Sequence, residues 1–395
     1  MKPDSLRVRT IGQIAQKHVS SGEFSSIEWA VDHAGKALSR GAIGQSDALN
    51  GIPLPDNPVY RIYSMTKPIV SVLALQMIED GVLGLGHPVA SYLPAAGKLK
   101  VLNDGREQPA SRLVTIEHLL THRSGFSYDF LPDCAVGEQY GSKRVAEDGS
   151  RTLAEMVDVI LACPLTAEPG REWRYSYSID VLARVLEVVS GKTLQHLVAE
   201  RVLEPCGMGD TGFSIAADQQ HRLMPMFGQK ILGDPIKVIT KAQQLYAMNV
   251  DAAHPFDSDT FARGGHGLYS TTSDYMRFLP VLMSGKTNSG TVLLSAPMVD
   301  MMWQNRIPDA QRPLAIGLLP LSGYGWNLFG RVMTDTGQAL SLTGVGEGGW
   351  AGAASTYCWV DRERQLSGVV MTQYLGATVP IGDSIKSAAY QALVP

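Results

Sequence analysis

The chain has 395 residues, of which 45% are hydrophobic and 18% charged, so it can bury a large core in one domain or in two closely packed ones. Its formal net charge of −4 gives no reason to expect nucleic acid or an anionic membrane surface as a partner. No apolar stretch is long enough to cross a bilayer, and the N-terminal segment lacks the apolar core of a signal peptide, so we expect a cytoplasmic protein.

The first predicted elements are a strand and a buried helix. Residues 27–32 alternate between apolar and polar side chains, as a half-buried strand does. Residues 69–78 are apolar on every side, which predicts a central helix that ends at Gly81. These two elements are expected to belong to the core of the protein.

The middle of the chain, residues 88–213, is predicted to form helices and long loops. Thr152 and Glu155 have the spacing of a capping box, which predicts the start of a helix. Residues 132–151 are rich in glycine, serine and charge, and we expect them to form a loop beside a cleft.

Strand patterns dominate the last third of the chain. A predicted helix over residues 271–285 comes first, followed by a loop over residues 306–313. Residues 356–361 and 366–374 are then predicted to pair as a hairpin, and residues 384–393 to form a terminal helix.

Ser64 precedes Lys67 by three residues, at the point where a polar segment gives way to the apolar helix. Residues at i and i+3 share one helix face, so the amine is expected beside the hydroxyl. A serine hydroxyl is a poor nucleophile unless a neighbour removes its proton, and a lysine among apolar groups can have its pKa lowered enough to do so. The spacing predicts a nucleophile and its base, although an ordinary helix start capped by serine has the same pattern.

Tyr175 lies between a Pro169-Gly170 turn and an amphipathic helix that Gly191 closes. A tyrosine at the edge of a cleft is a candidate proton shuttle. Its pKa, about 10 in model peptides, must be lowered by nearby positive charge, which Lys67 would supply. The alternative is a tyrosine that packs as an amphipathic edge residue.

The cysteines and histidines give no sign of a metal site or a disulfide framework. Two histidines, His118 and His122, are four residues apart but lack the glutamate of a zinc-binding helix, so we interpret them as structural. The cysteines have no C-x-x-C spacing and are expected to be free buried thiols; they are Cys134, Cys163, Cys206 and Cys358. No glycine-rich phosphate loop is present, and we expect neither metal nor cofactor.

Several stretches, in order, resemble the serine beta-lactamase and penicillin-binding-protein superfamily, on the branch shared by class C beta-lactamases and family VIII carboxylesterases. They are residues 64–67 (Ser-Met-Thr-Lys), 119–126 (Leu-Leu-Thr-His-Arg-Ser-Gly-Phe), 168–170 (Glu-Pro-Gly) with Tyr175 and Ser176, 180–182 (Asp-Val-Leu), 204–213, 264–274 and 350–361. The likeness extends from about residue 11 to the end of the chain.

The resemblance implies an α/β (α+β) fold in which helices flank an antiparallel sheet built from both chain ends. Residues 1–87 and 214–395 would form this sheet domain. Residues 88–213 would form a mostly helical insert domain, with the active site in the cleft between the two.

Two departures from the lactamase pattern bear on the substrate. Tyr177 stands where class C lactamases carry asparagine, and Trp350-Ala351-Gly352 stands where they carry Lys-Thr-Gly. Family VIII esterases typically have Trp-Gly-Gly there, so Ala351 is a further departure. The exchange removes a cation and an amide and adds aromatic surface, and we expect these four residues to bind neutral acyl groups. The alternative for Trp350 is a core tryptophan whose indole N–H meets a carbonyl.

The resemblance implies a two-step reaction on a small-molecule ester. Ser64 would attack the carbonyl while Lys67 and Tyr175 share the proton transfers, and the amides of Ser64 and Ala353 would form the oxyanion hole. Which of Lys67 and Tyr175 acts as base is open, as is the oligomeric state. The alternatives are an acyltransferase of the same fold, a weak beta-lactamase or amidase, and a catalytically silent scaffold, against which the intact Ser64, Lys67 and Tyr175 argue.

Overall fold

The computed structural model describes residues 2–131, 134–229 and 243–395. Most of its helices lie in the central part of the chain or against the faces of the sheet. They are α1 (Ser5–Ser20), α2 (Thr66–Glu79), α3 (Ile116–Leu120), α4 (Ala135–Ser142), α5 (Leu153–Leu161), α6 (Ser178–Ser190), α7 (Leu194–Val198), α8 (Glu204–Cys206), α9 (Thr272–Ser284), α10 (Ala296–Met302) and α11 (Ile381–Gln391).

The strands cluster toward the two ends of the chain. They are β1 (Lys2–Pro3), β2 (Ser26–His33), β3 (Lys36–Asp47), β4 (Ile52–Pro53), β5 (Tyr60–Arg61), β6 (Lys100–Asn103), β7 (Arg106–Pro109), β8 (Met226–Gly228), β9 (Tyr246–Met248), β10 (Tyr269–Ser270), β11 (Leu314–Ile316), β12 (Leu319–Leu321), β13 (Tyr324–Trp326), β14 (Arg331–Met333), β15 (Gly348–Ala351), β16 (Tyr357–Asp361), β17 (Leu366–Met371), β18 (Tyr374–Leu375) and β19 (Leu393–Val394).

The central sheet of the described residues has eight strands in the order β13-β14-β15-β16-β17-β2-β3-β4. Every neighbouring pair is antiparallel, and β17 from the end of the chain pairs with β2 from its beginning. The predicted sheet from both chain ends is therefore confirmed, as are the strand at residues 27–32 and the hairpin formed by β16 and β17.

The two faces of the sheet pack against different cores. On β2, Ala30 belongs to a large core that includes α2 and the helical insert, whereas Val31 belongs to a smaller core beneath α1 and α11. On β16, Cys358 and Trp359 divide in the same way. The alternation of side chains along a strand produces this division, because successive residues point to opposite faces.

Helix α2 lies at the centre of the larger core. It is buried over nearly its whole length, as its apolar sequence predicts, and Gly81 follows it in the left-handed conformation. Two other predicted helix ends are also confirmed: Thr152 and Glu155 form the capping box of α5, and Gly191 closes α6. A buried α2 gives the residues at its N-terminus a rigid support.

The prediction of a loop over residues 132–151 is wrong in part, since α4 occupies residues 135–142; residues 132–133 lie outside the described part of the chain. Val136 and Tyr140, one turn apart, are buried, and the Cys134 thiol accepts a hydrogen bond from the Gly137 amide at the start of the helix. The two glycines of α4 masked its helical period. The terminal helix begins three residues earlier than predicted, and the insert also contains the short hairpin β6–β7.

The larger core continues from the sheet into the helical insert and draws buried side chains from both. The domain boundaries near residues 87 and 213 stay a prediction. The four cysteines are free and buried, as expected. None of the helices within the described residues combines the length and the apolar character needed to cross a membrane.

Candidate active site

Ser64 lies in a short 3₁₀ turn, Tyr63–Met65, that leads directly into α2. Tyr63 has a φ of +44°, a backbone conformation that residues other than glycine rarely adopt. The turn is held from both sides, because Tyr275 donates its hydroxyl to the Met65 carbonyl at 2.8 Å and the Leu268 amide donates to Thr66 Oγ1 at 3.1 Å. Ser64 is thus presented on a constrained turn, and its side chain stays partly exposed.

Lys67 occupies the first turn of α2 and is only 1% exposed. Its Nζ lies 2.9 Å from Ser64 Oγ and donates to the Gly265 carbonyl at 2.7 Å. Burial lowers the pKa of this amine to about 7, against the opposing charge of Asp180. A substantial neutral fraction at neutral pH makes Lys67 able to accept a proton from Ser64.

Tyr175 stands on the other side of the serine. Its ring lies 4.7 Å from Lys67 Nζ, and its hydroxyl lies near Ser64 and accepts the Trp350 indole N–H at 2.9 Å. Burial raises the pKa of Tyr175 despite its polar neighbours Ser64 and Trp350. The expectation that nearby positive charge lowers this pKa is wrong, because burial in a dry environment penalises the phenolate and is the largest effect on this hydroxyl.

Strand β15 and the turn after it bring four predicted site residues past Ser64, but in different roles. Trp350 is 4% exposed and faces the larger core, whereas Ala351 packs into the smaller core on the opposite face of the sheet. A Cβ at Gly352 would collide with the Ile62 carbonyl, two residues before Ser64. Ala353 is exposed, and its amide donates to no other group of the described residues. The Trp350 side chain is thus closed to solvent, whereas Ala353 is open to it.

Tyr177 does not join the group around Ser64. Its side chain is fully buried, and its hydroxyl donates to Asp129 at 3.0 Å. The ring of Tyr128 contacts Tyr177, with 4.3 Å between centroids, and also Tyr175, at 5.2 Å. We expected Tyr177 to contact the substrate, but it packs behind Tyr128 instead. Its hydroxyl is buried and therefore requires a partner inside the protein, which Asp129 provides.

The sequence left two interpretations of Trp350, a substrate-binding residue or a core residue bonded to a backbone carbonyl, and the structure differs from both. Its indole N–H donates to the hydroxyl of Tyr175. Its ring packs edge-on against Trp326, with 4.5 Å between centroids. Trp350 fixes the orientation of Tyr175 and offers little surface to an acyl group.

Asp180 is a buried residue of this site whose role the sequence did not reveal. It lies in the first turn of α6 and is fully buried, and its Oδ1 accepts the Gly265 amide at 3.0 Å. Asp180 stood in one of the resembling motifs, but nothing local indicated that it faces Lys67.

His122 is another neighbour that the spacing to His118 did not explain. Its ring lies 4.7 Å from that of Tyr175 and 5.1 Å from that of Trp326. Burial, reinforced by Lys67, holds the pKa of His122 well below its usual range, so the imidazole is neutral. His118 instead accepts the Thr115 amide in the capping box of α3. Both histidines have local structural partners.

An aromatic path leads from Tyr175 toward solvent. Tyr128 stacks on Phe130 with ring centroids 4.8 Å apart, and Phe130 is 62% exposed. On another side, Gln311 donates to the Gly170 carbonyl at 3.0 Å and accepts from Arg123 at 3.1 Å. The loop over residues 306–313 therefore lies against the turn that precedes Tyr175.

An antiparallel sheet from both chain ends, a helical insert and a Ser-x-x-Lys turn before a buried helix define the serine beta-lactamase-like class of fold. The beta-lactamase family model matches residues 11–388, and the chain belongs to this family.

Individual relatives agree with this assignment. Protein Rv1367c of Mycobacterium tuberculosis is 31% identical over 356 residues, which cover 86% of this chain and 83% of that protein. Esterase EstB of Burkholderia gladioli is 29% identical over 365 residues, covering 90% and 88%. The solved structure of EstCE1, described as a hydrolase with promiscuous acyltransferase activity, superimposes with a TM-score of 0.82 over 98% of this chain and 99% of its own, at 23% identity.

Proposed function

We propose that this protein is a carboxylesterase that cleaves neutral carboxylic esters through an acyl-enzyme on Ser64. The observation that carries the proposal is the contact of one partly exposed serine with a buried amine at 2.9 Å, with the ring of a buried tyrosine 4.7 Å from the same amine. The relationship to a protein named as an esterase, EstB, supports the choice of ester over lactam.

In the first step Lys67 accepts the proton of Ser64 as the serine oxygen bonds to the ester carbonyl carbon. The neutral amine suits this role because burial lowers the pKa of Lys67 to about 7. Tyr175, whose pKa is raised, stays a phenol and relays the proton to the departing alkoxide. In the second step water attacks the acyl carbon, and its proton passes through Tyr175 and Lys67 to Ser64 Oγ. The bond between Ser64 Oγ and the acyl carbon breaks, and the acid is released.

The negative charge that develops on the carbonyl oxygen needs donors of its own. The amides of Ser64 and Ala353 are our candidates, because the turn after β15 passes directly against Ile62 and the Ala353 amide has no acceptor among the described residues. Each such donor typically contributes roughly 10²–10³ in rate.

The test combines an activity panel with trapping of the nucleophile. Esters of p-nitrophenol with rising acyl length should be hydrolysed, and a fluorophosphonate should add one mass label to the peptide that contains Ser64. Ser64→Ala should abolish both, whereas Ser142→Ala, which removes an exposed serine hydroxyl bonded to the Gln139 carbonyl, should change neither. Full activity of Ser64→Ala, or a label on another serine, would refute the proposal.

The same acyl-enzyme would serve an acyltransferase, with an alcohol in place of water. Simple alcohols added to the hydrolysis assay separate the two reactions, because transfer produces new esters that mass spectrometry detects. Free acid as the dominant product at moderate alcohol concentration supports the esterase, and quantitative transfer to the alcohol contradicts it.

A further inference from the structure

We propose that Asp180 is a positioning residue whose buried carboxylate stabilises the protonated form of Lys67 during turnover and holds the Gly265 carbonyl against that amine. The inference rests on the proposed function, in which Lys67 accepts the proton of Ser64.

A single residue, Gly265, connects the carboxylate to the amine. Its amide donates to Asp180 Oδ1 at 3.0 Å, and its carbonyl accepts Lys67 Nζ at 2.7 Å. A Cβ at this position would collide with Asp180 Oδ2 and would approach the Tyr128 hydroxyl to 3.2 Å. Glycine therefore allows the backbone to lie in van der Waals contact with the carboxylate.

The second carboxylate oxygen is unusual. Asp180 Oδ2 is buried and accepts no hydrogen bond from the described residues. A buried carboxylate without a full set of donors is costly unless a positive charge lies nearby. Such an arrangement is expected beside a group that becomes positively charged only during the reaction. The cost of burying the unpaired Asp180 oxygen is then offset when Lys67 is protonated.

The cations that face Asp180 come from two elements, α2 with Lys67 and the segment before Gly265 with Arg263. Arg263 directs its guanidinium to the carbonyls of Ala262 and Arg151. Lys67 is thus the cation that gains most from the carboxylate.

The other titratable neighbours carry no compensating charge. Burial holds the pKa of His122 and of His266 well below the usual range, so both imidazoles are neutral. The nearby tyrosines have raised pKa values, again because of burial, and stay neutral phenols; they are Tyr128, Tyr175 and Tyr177.

The proton balance shows what the carboxylate contributes. When the bond between Ser64 Oγ and the carbonyl carbon forms, the serine proton moves to Lys67, which becomes an ammonium in a dry site. The Asp180 charge raises the pKa of Lys67 and so opposes the effect of burial on this cation. The proton then leaves through Tyr175 to the alkoxide as the ester C–O bond breaks, and Asp180 gains or loses no proton in the cycle.

Asp180→Asn tests the charge, because it keeps the shape and the acceptor for the Gly265 amide. Without the carboxylate the pKa of Lys67 falls, so the acidic limb of the kcat/KM profile for p-nitrophenyl acetate should move to lower pH by about one unit. The limiting kcat should fall roughly tenfold, since one unit of pKa is a tenfold change in the equilibrium that protonates the amine. KM should change little, because Asp180 does not touch the substrate.

Glu187→Gln is the matched control. Glu187 lies on the same helix, seven residues after Asp180, and pairs with Arg184 at 2.9 Å. Its replacement also removes one negative charge, and Glu187 is not among the charges that shift the pKa of Lys67. This variant should leave the pH profile where the wild type has it.

Labelling of Ser64 separates failure of this inference from failure of the proposed function. If Asp180→Asn is labelled at Ser64 but its acidic limb stays in place, the inference is overturned and the esterase proposal stands. If Ser64 is not labelled even in the wild type, the proposed function fails first.

A second measurement requires no change at Asp180. In wild-type protein labelled with ¹³Cε-lysine, and with Lys67→Arg to assign the resonance, the Lys67 signal should respond to its own ionisation and to that of a neighbouring carboxyl. A single-step titration would overturn the inference even if Asp180→Asn fails to fold.

Discussion

Lys67 and Tyr175 flank Ser64 in the same dry environment, and burial moves their pKa values in opposite directions, down for the amine and up for the phenol. Each shift favours the neutral form. A neutral amine is a base and a neutral phenol is an acid, so the environment alone assigns complementary roles to the two side chains.

The first prediction concerns the pH dependence of ester hydrolysis. If the neutral amine of Lys67 is the base, kcat/KM should rise as the pH increases through about 7, where Lys67 loses its proton, and should be low at acidic pH.

The shared proton path can also be tested by mutation. Lys67→Ala and Tyr175→Phe should each reduce kcat by roughly 10²–10⁴. The double variant should lose little more, because residues that act as one unit are not additive. Fully multiplicative losses would show that the two side chains do not share a proton path.

The second prediction concerns the hydrogen bond from Trp350 to Tyr175. Trp350→Phe keeps an aromatic ring but removes the N–H that reaches the Tyr175 hydroxyl at 2.9 Å. The loss should cost about 1–3 kcal/mol in the activation free energy, seen as a lower kcat with little change in KM. Trp29→Phe is the control, since it removes a similar bond, to Ser39 Oγ at 3.0 Å, in the core beneath α1. Equal effects of the two changes on kcat would contradict a role for Trp350 in positioning Tyr175.

At the scale of elements, the site depends on the approach of β15 to the turn that carries Ser64. Gly352 follows this strand, and a Cβ there would collide with the Ile62 carbonyl and with Thr356 Oγ1. The backbone can pass this close only because glycine has no side chain. The absence of a side chain at Gly352 therefore allows β15 to lie close to the turn that carries Ser64.

The third prediction follows from this contact. Gly352→Ala should separate the turn after β15 from Ser64, lowering kcat strongly and the free energy of unfolding by about 1–3 kcal/mol. Gly209→Ala is the control, because a Cβ at Gly209 would meet nothing within 4 Å. Activity and denaturation midpoints of both variants check this. A Gly352→Ala protein with normal kcat would show that the turn tolerates displacement.

Elements with local signals were predictable from the sequence, and contacts between elements were not. The capping box at Thr152, the apolar α2 and the closing Gly191 each carry their own periodicity or cap. The bond between Trp350 and Tyr175 joins residues 175 positions apart, and no local pattern encodes it. The same holds for Asp180, which lies near Lys67 only because α2 and α6 pack together.

At the scale of the whole molecule, Tyr175 lies in an aromatic cluster that draws rings from the sheet and from the central part of the chain. Around Tyr175 the sheet contributes Trp326 and Trp350, and the insert contributes Tyr128 and Trp173. Trp350, which the resemblance places where class C lactamases carry a lysine, is uncharged, and its one N–H donates to Tyr175. The proposed esterase should therefore favour substrates whose reacting end is neutral.

The last prediction is therefore a preference for neutral esters with an apolar acyl chain. A cephalosporin lacks here the charge-assisted hydrogen bond that a lysine would give its carboxylate, a bond worth about 1.5–3 kcal/mol. The value of kcat/KM should therefore favour p-nitrophenyl hexanoate over the cephalosporin by roughly 10- to 100-fold.

The exposed Phe130, stacked on Tyr128, offers an apolar face at the outer end of this cluster. Phe130→Ala should lower kcat/KM for hexanoate by roughly fivefold, about 1 kcal/mol of apolar burial, and leave acetate nearly unchanged. Val292→Ala, which trims a side chain of similar exposure (60%) beyond the end of α9, is the control. Cephalosporin turnover equal to ester turnover would contradict the preference, and equal losses for acetate and hexanoate in Phe130→Ala would place Phe130 outside the acyl path.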